Sequence, residues 1–245
     1  MITTLITGAA GGIAAALIPR LAHADARLVL VDVAGAPLAE AADVARVAGA
    51  DVATLTSSLE TPEQCAEAVA AAGGRLDRLI HLAGVFEPDP EGPADMSVWD
   101  RAINHNVRNA YMLAGLAGPL MTETARASST PARMVFVSSL AFTRGSWDHV
   151  PYTCAKGAIV GLVRALTRKH APNILINALA PGVIDTAMPA HLLKLRGEDK
   201  ITREVPLGRL GTADEVAGPI AFLLGPDATF ITGQVLNIDG GAVAG

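Results

Sequence analysis

Seven short apolar runs, separated by longer stretches with helical spacing, constrain this chain more than any other feature. Strands are expected at residues 3–7, 28–32, 52–56, 78–83, 133–138, 175–180 and 234–238. Helices are expected at 12–24, 37–48, 62–73, 97–125 and 152–170, a short one at 189–195, and one at 213–224. Strands that alternate with helices make βαβ units, and right-handed crossovers wind such units into one parallel sheet with helices on both faces. The expected fold class is therefore α/β: a Rossmann-type, doubly wound, seven-stranded parallel sheet flanked by helices. The Pro- and Gly-rich stretch 86–95 reads as an internal loop, so residues 1–245 make a single domain. Ligands of such sheets bind outside the carboxyl ends of the strands.

Bulk chemistry narrows the function. A hydrophobic fraction of 51% supports a large core, much of it Ala and Gly, which suits close helix-on-sheet packing. A net charge of −5 without a basic run argues against nucleic acid or an anionic membrane as partner. No run of about 18 apolar residues would span a bilayer. Strand patterning starts close to the first residue, so no leader peptide and a cytoplasmic location are expected. Cys65 and Cys154 are too few and too far apart for a disulfide framework or a zinc site, and no metal is expected.

The first strand runs into Thr7-Gly8-Ala9-Ala10-Gly11-Gly12-Ile13-Ala14. Gly8 permits a tight turn, and Gly12 permits close backbone approach to a pyrophosphate at a helix start. The second strand ends at Asp32. An acid there can accept hydrogen bonds from the adenosine ribose hydroxyls and repel a 2′-phosphate. No Arg or Lys lies within residues 8–14 or directly after Asp32, so NAD is expected over NADP.

Tyr152 and Lys156 stand four residues apart, one face of a helix, and Ser139 follows the apolar run Met134-Val135-Phe136-Val137. A phenol is a poor base near neutral pH, but a neighbouring ammonium favours the phenolate. Tyr152 is the expected acid/base toward an alcohol or ketone oxygen, Ser139 its hydrogen-bonding partner on the substrate, and Lys156 the group that serves both the phenol and a nicotinamide ribose.

Together these residues resemble the classical short-chain dehydrogenase/reductase family over nearly the whole chain. Residues 7–14 are similar to its Thr-Gly-x-x-x-Gly-x-Gly motif, with Ala14 at the last position. Trp99-Asp100-Arg101-Ala102-Ile103-Asn104-His105-Asn106-Val107 resembles the helix that carries a catalytic Asn, here Asn106. The resemblance implies Asn106, Ser139, Tyr152 and Lys156 as catalytic, with Asn106 anchoring a water in a proton relay. It implies cofactor contacts from Gly8, Gly11, Gly12, Ile13, Asp32, Val33, Ser58, Leu59, Ala83, Gly84, Tyr152 and Lys156. It implies a cap over the nicotinamide from Pro181, Gly182, Val183, Ile184 and Thr186, and assembly as a homotetramer. There are further departures: His81-Leu82-Ala83-Gly84 replaces the usual Asn-Asn-Ala-Gly, which puts Leu82 where an Asn braces the central sheet, and Ser58 replaces an acid near the adenine.

The substrate pocket is expected to draw on residues 140–150, 85–95 and a lid near 186–204, with Leu140, Phe142, Trp147, His149 and Leu192 as wall residues. Trp147 reads equally as a packing residue against the lid or a neighbouring subunit. Arg144 could meet a carboxylate, but a solvated surface arginine is the better reading. The function expected is NAD-dependent interconversion of a secondary alcohol and a ketone. The alternative is a 3-oxoacyl-carrier-protein reductase-like enzyme, which the lid length and residues 205–211 resemble. A non-catalytic nucleotide-binding sensor or scaffold is the reading from another class. Asp32 generates the first test: Asp32→Ala narrows the preference for NAD over NADP in kcat/KM, and a wild-type protein that prefers NADPH refutes the assignment.

Overall fold

The computed structural model describes residues 1–243. β1 (Ile2–Thr7) is buried along almost its whole length, as a central parallel strand covered on both faces must be. α1 (Gly12–Leu21) returns the chain to β2 (Ala26–Asp32), and α2 (Gly35–Val47) leads to β3 (Asp51–Thr56). α3 (Pro62–Ala70) opens with a reciprocal capping box between Thr61 and Gln64 and leads to β4 (Arg78–His81). A long helical segment follows as α4 (Ser97–Ile103), a π-turn (Asn104–Arg108) and α5 (Asn109–Ser128). β5 (Ala132–Val137), α6 (Ala141–Arg144), α7 (Val150–His170) and β6 (Ile174–Pro181) continue the winding. Two short helices, α8 (Ala190–Arg196) and α9 (Glu198–Arg203), precede α10 (Ala213–Leu223) and β7 (Val235–Ile238).

All seven strands lie in one parallel sheet, ordered β3-β2-β1-β4-β5-β6-β7. Strand order reverses between β1 and β4, whose registers bring Thr7 opposite His81. The glycine turn after β1 and the Ala83-Gly84 segment after β4 therefore face each other at the switch point of the sheet. One core packs α3, α5 and α7 against the sheet through residues such as Met121, Phe136, Ile159 and Val163. The other packs α1, α2 and α10 through Leu17, Leu38, Val216 and Ile220. Among the described residues no helix is long and apolar enough to cross a membrane.

Every expected strand is present, and the ends move by one or two residues. The expected single helix over 97–125 is instead interrupted by the π-turn, a one-residue insertion that leaves apolar spacing nearly unchanged. α6 and α9 were not expected; helices of four and six residues are too short to generate a periodic signal.

Candidate active site

Gly8 has φ +67°, and a Cβ there would sit 2.7 Å from the Ala83 amide nitrogen. Only glycine lets the turn after β1 pass so close to the segment after β4. Thr7 Oγ1 lies 2.8 Å from His81 Nδ1 and accepts the Ala83 amide at 3.4 Å. The brace across the switch point is therefore a threonine–histidine pair, while Leu82, at the position of the usual asparagine, packs into the core. Burial, reinforced by the Lys156 ammonium, pushes His81 down to about 3, so its ring is neutral.

Asp32 stitches the turn to the end of β2. One carboxylate oxygen accepts the Ala10 amide at 3.0 Å and the other accepts the Ala34 amide at 3.0 Å. Val33 beside it is exposed. Gly11 caps α1 without a side-chain hydrogen bond, and no acid stands in the first turn, so the first amides of α1 keep their anion-binding capacity. A Cβ on Gly12 would lie 2.6 Å from Thr186 Cγ2, which brings the base of the lid against the turn. Leu59 is buried at φ +56°, and the Ser58 hydroxyl donates to Gln64 Oε1 at 3.3 Å. These residues fit a dinucleotide: a glycine cradle, an uncapped helix start and an acid at the end of β2.

At the other end of the crevice lies a cavity of about 470 Å³, with Ser139 and Tyr152 in its wall. Ile13, Pro181, Gly182, Val183, Ile184 and Thr186 line it as well. α7 begins at Val150 with Pro151 in its first turn, where a missing N–H costs nothing, so Tyr152 enters the helix at its mouth. One turn on, Lys156 is buried and donates to the Val137 carbonyl at 3.0 Å, with Nζ 5.4 Å from the centre of the Tyr152 ring.

The expected lowering of the Tyr152 pKa by Lys156 does not hold in this arrangement. Burial pushes Tyr152 up to about 12, against the opposing hydrogen bond from Ser139, and burial brings Lys156 down to about 8. Desolvation disfavours both charged forms, and the ammonium gives its hydrogen bond to Val137 rather than to the phenol oxygen.

Asn106 sits in the π-turn. Its Nδ2 donates to the carbonyls of Val85 at 3.1 Å and Ala102 at 2.9 Å. Its Oδ1 is buried with no partner among the described residues, and a Cβ on Gly84 would meet it at 2.5 Å. The same added Cβ would lie 3.4 Å from Lys156 Nζ, so Gly84 separates the amide from the ammonium. An acceptor left buried beside an ammonium is suited to hold a water.

Of the expected substrate residues, Leu140, Trp147 and Leu192 line the cavity. Trp147 is 80% exposed and forms the rim, 5.3 Å below the Arg196 guanidinium. Phe142 and His149 do not line it, contrary to expectation. α6 turns Phe142 off the lining, and His149 is fully buried, stacked on Phe86 with ring centres 4.0 Å apart. Phe86 is the wall residue that sequence reasoning did not single out; an aromatic two positions beyond Gly84 at a strand's carboxyl end was the available signal. Arg144 lines the cavity and pairs with Glu204.

The family described as Enoyl-(Acyl carrier protein) reductase matches residues 8–243. A 3-oxoacyl-[acyl-carrier-protein] reductase of Thermotoga maritima is 30% identical over 243 residues, covering 98% of this chain and 96% of the relative. A solved short-chain dehydrogenase/reductase from Brucella melitensis, described as a glucose/ribitol dehydrogenase, superposes with a TM-score of 0.87 at 31% identity, covering 100% of this chain and 97% of that one. An NADH-dependent reductase responsible for alginate metabolism gives a TM-score of 0.89 at 26% identity, covering 100% and 98%. The tight approach at Gly84 yields a test. Gly84→Ala displaces the Asn106 amide and lowers kcat/KM by about a hundredfold, the scale of an ångström-sized misplacement, with the melting temperature little changed. Retention of more than about half the rate would mean that the Asn106 position does not matter.

Proposed function

The chain belongs to the classical short-chain dehydrogenase/reductase family, and on that premise we propose that it is an NAD-dependent oxidoreductase that interconverts a secondary alcohol and a ketone. The observation that carries the reading is the placement of Ser139 and Tyr152 in one cavity wall, with Lys156 and Asn106 directly behind.

A bound nicotinamide supplies the hydride acceptor or donor. Gly8, Gly11, Gly12, Ile13 and Asp32 hold the nucleotide end, and residues 181–186 cap the reacting end. Ser139 donates a hydrogen bond to the substrate oxygen. Tyr152 transfers the proton at that same oxygen, giving it to a ketone in reduction and taking it from an alcohol in oxidation. A phenol held up to about 12 is neutral near pH 7, so it stands ready as an acid, and oxidation quickens as pH rises. Lys156, one helical turn behind Tyr152, would hold the nicotinamide ribose, and Asn106 anchors the water through which a proton passes on to solvent. Phe86, Leu140 and Leu192 exclude bulk water from the reacting oxygen.

NAD rather than NADP is supported by Asp32 and by the absence of a cation in residues 8–14. The NADH-dependent relative agrees. The likeness to 3-oxoacyl-[acyl-carrier-protein] reductase favours the alternative of an acyl-chain ketone as substrate. The same acid at Asp32 argues against a biosynthetic NADPH-linked role. Assembly as a homotetramer is part of the proposal; exposed Tyr111 and Leu116 on α5 are an apolar face for a second copy to cover.

The reading is tested with a panel of secondary alcohols and ketones, scored by NADH absorbance with each cofactor. Turnover with NAD on at least one class supports it; nucleotide binding without turnover on any member favours the sensor. Tyr152→Phe then retains NADH binding and loses about 10²–10⁴-fold in kcat. A variant that keeps more than about a tenth of the wild-type rate removes Tyr152 from the proton transfer.

A further inference from the structure

Behind the cavity wall a chain of polar groups joins the loop before α7 to the lid helix α8. The Nε2 of fully buried His149 lies 3.0 Å from the Nε2 of His191 on α8. Its Nδ1 lies 2.8 Å from Asp148 Oδ1. A carboxylate only accepts, so the His149 proton is on Nδ1 and its Nε2 accepts; His191 therefore donates from Nε2. Asp148 also accepts from the Ser146 hydroxyl at 2.9 Å and from the Arg196 guanidinium at the last turn of α8. α8 is thus fastened near both ends to residues 146–149. The His149 ring lies parallel to Phe86 within 5°, and Phe86 meets the Tyr152 ring edge-on at 4.7 Å between centres. Neither histidine lines the cavity.

We propose that His149 and His191 are a latch that holds α8 closed over the cavity, and that His149, acting through Phe86, is a positioning residue for Tyr152. The second half rests on the reading of Tyr152 as the proton-transfer group; the latch does not. The pair accommodates one extra proton: on the free Nδ1 of His191 it leaves the Nε2–H of that ring donating to His149 Nε2. A second proton sets two N–H groups face to face and drives α8 away. Asp148 favours the charged His149 ring, whereas burial, His191 and Arg196 oppose it, and burial prevails. Asp89, which accepts the Val150 amide, is a further charge at the start of α7, and Tyr152 lies beyond Phe86. With His149 held below its usual 6.5, the latch is present at neutral pH and is lost only as pH falls below that value.

His191→Gln keeps an N–H donor without an imidazole ring, and His191→Leu keeps bulk without a donor. In the full chain, trypsin cuts after Lys194 and Lys200 about tenfold faster in His191→Leu than in wild type, the factor for one lost buried hydrogen bond, and His191→Gln stays within about twofold. Trp147 fluorescence, read in a Trp99→Phe background, shows an acid transition with wild-type histidines and none with His191→Gln. Equal cleavage of His191→Leu and wild type, or cleavage of His191→Gln as fast as His191→Leu, overturns the latch. For the positioning half, His149→Phe keeps a ring on Phe86 and raises KM with kcat within about threefold, whereas His149→Ala also lowers kcat by about tenfold. Identical kcat in the two variants overturns it. Should wild type turn over nothing, the proteolysis and fluorescence still decide the latch, and that failure falls on the proposed activity alone.

Discussion

One buried ammonium organises the reacting end of this protein. Lys156 is 6% exposed and its side chain rests on a single carbonyl, Val137 at the end of β5. An isolated buried charge is costly, so the lysine is anchored from its backbone as well: its own carbonyl accepts the Ser138 hydroxyl at 2.8 Å. These two bonds tie the first turns of α7 to the strand end that carries Ser139. Tyr152, one helical turn before Lys156, is thereby delivered to the cavity wall beside that serine. The same desolvation that lowers Lys156 raises Tyr152, so the arrangement stores a neutral phenol next to a readily deprotonated ammonium.

The sheet makes this possible by ending β1, β4, β5 and β6 at one edge. Gly8 is held against Ala83, Gly84 against Asn106, and Gly182 approaches Asp239, whose Cα would lie 3.0 Å from an added Cβ. Each glycine marks a place where two strand ends, or a strand end and a helix, converge. Convergence concentrates chemistry in one crevice and leaves the rest of the molecule to packing.

The strands were legible because parallel strands covered on both faces are continuous apolar runs, as in Leu28-Val29-Leu30-Val31. The catalytic candidates were legible because residue type and spacing coincide with a familiar motif, and the structure brings Ser139, Tyr152, Lys156 and Asn106 together. What escaped depends on contacts between segments distant in sequence. The π-turn at Asn106 differs from a regular helix by one residue. Phe86 and His149 are 63 positions apart, and nothing local says that one ring buries the other. The depressed electrostatic help from Lys156 was also invisible, since burial is a property of the folded surroundings. Trp147 sits between its two readings: at the cavity rim, and packed under Arg196 of the lid.

The central claim is that Tyr152 enters the reaction as a neutral, buried phenol. The most direct measurement is kcat/KM against pH in both directions, on the best alcohol–ketone pair. The account predicts that oxidation climbs by close to tenfold per pH unit from about pH 6 to about pH 8, the span over which Lys156 keeps its charge, while reduction stays flat. Oxidation that is already level near neutral pH, with reduction falling as pH rises, would show an ionised phenol and contradict it.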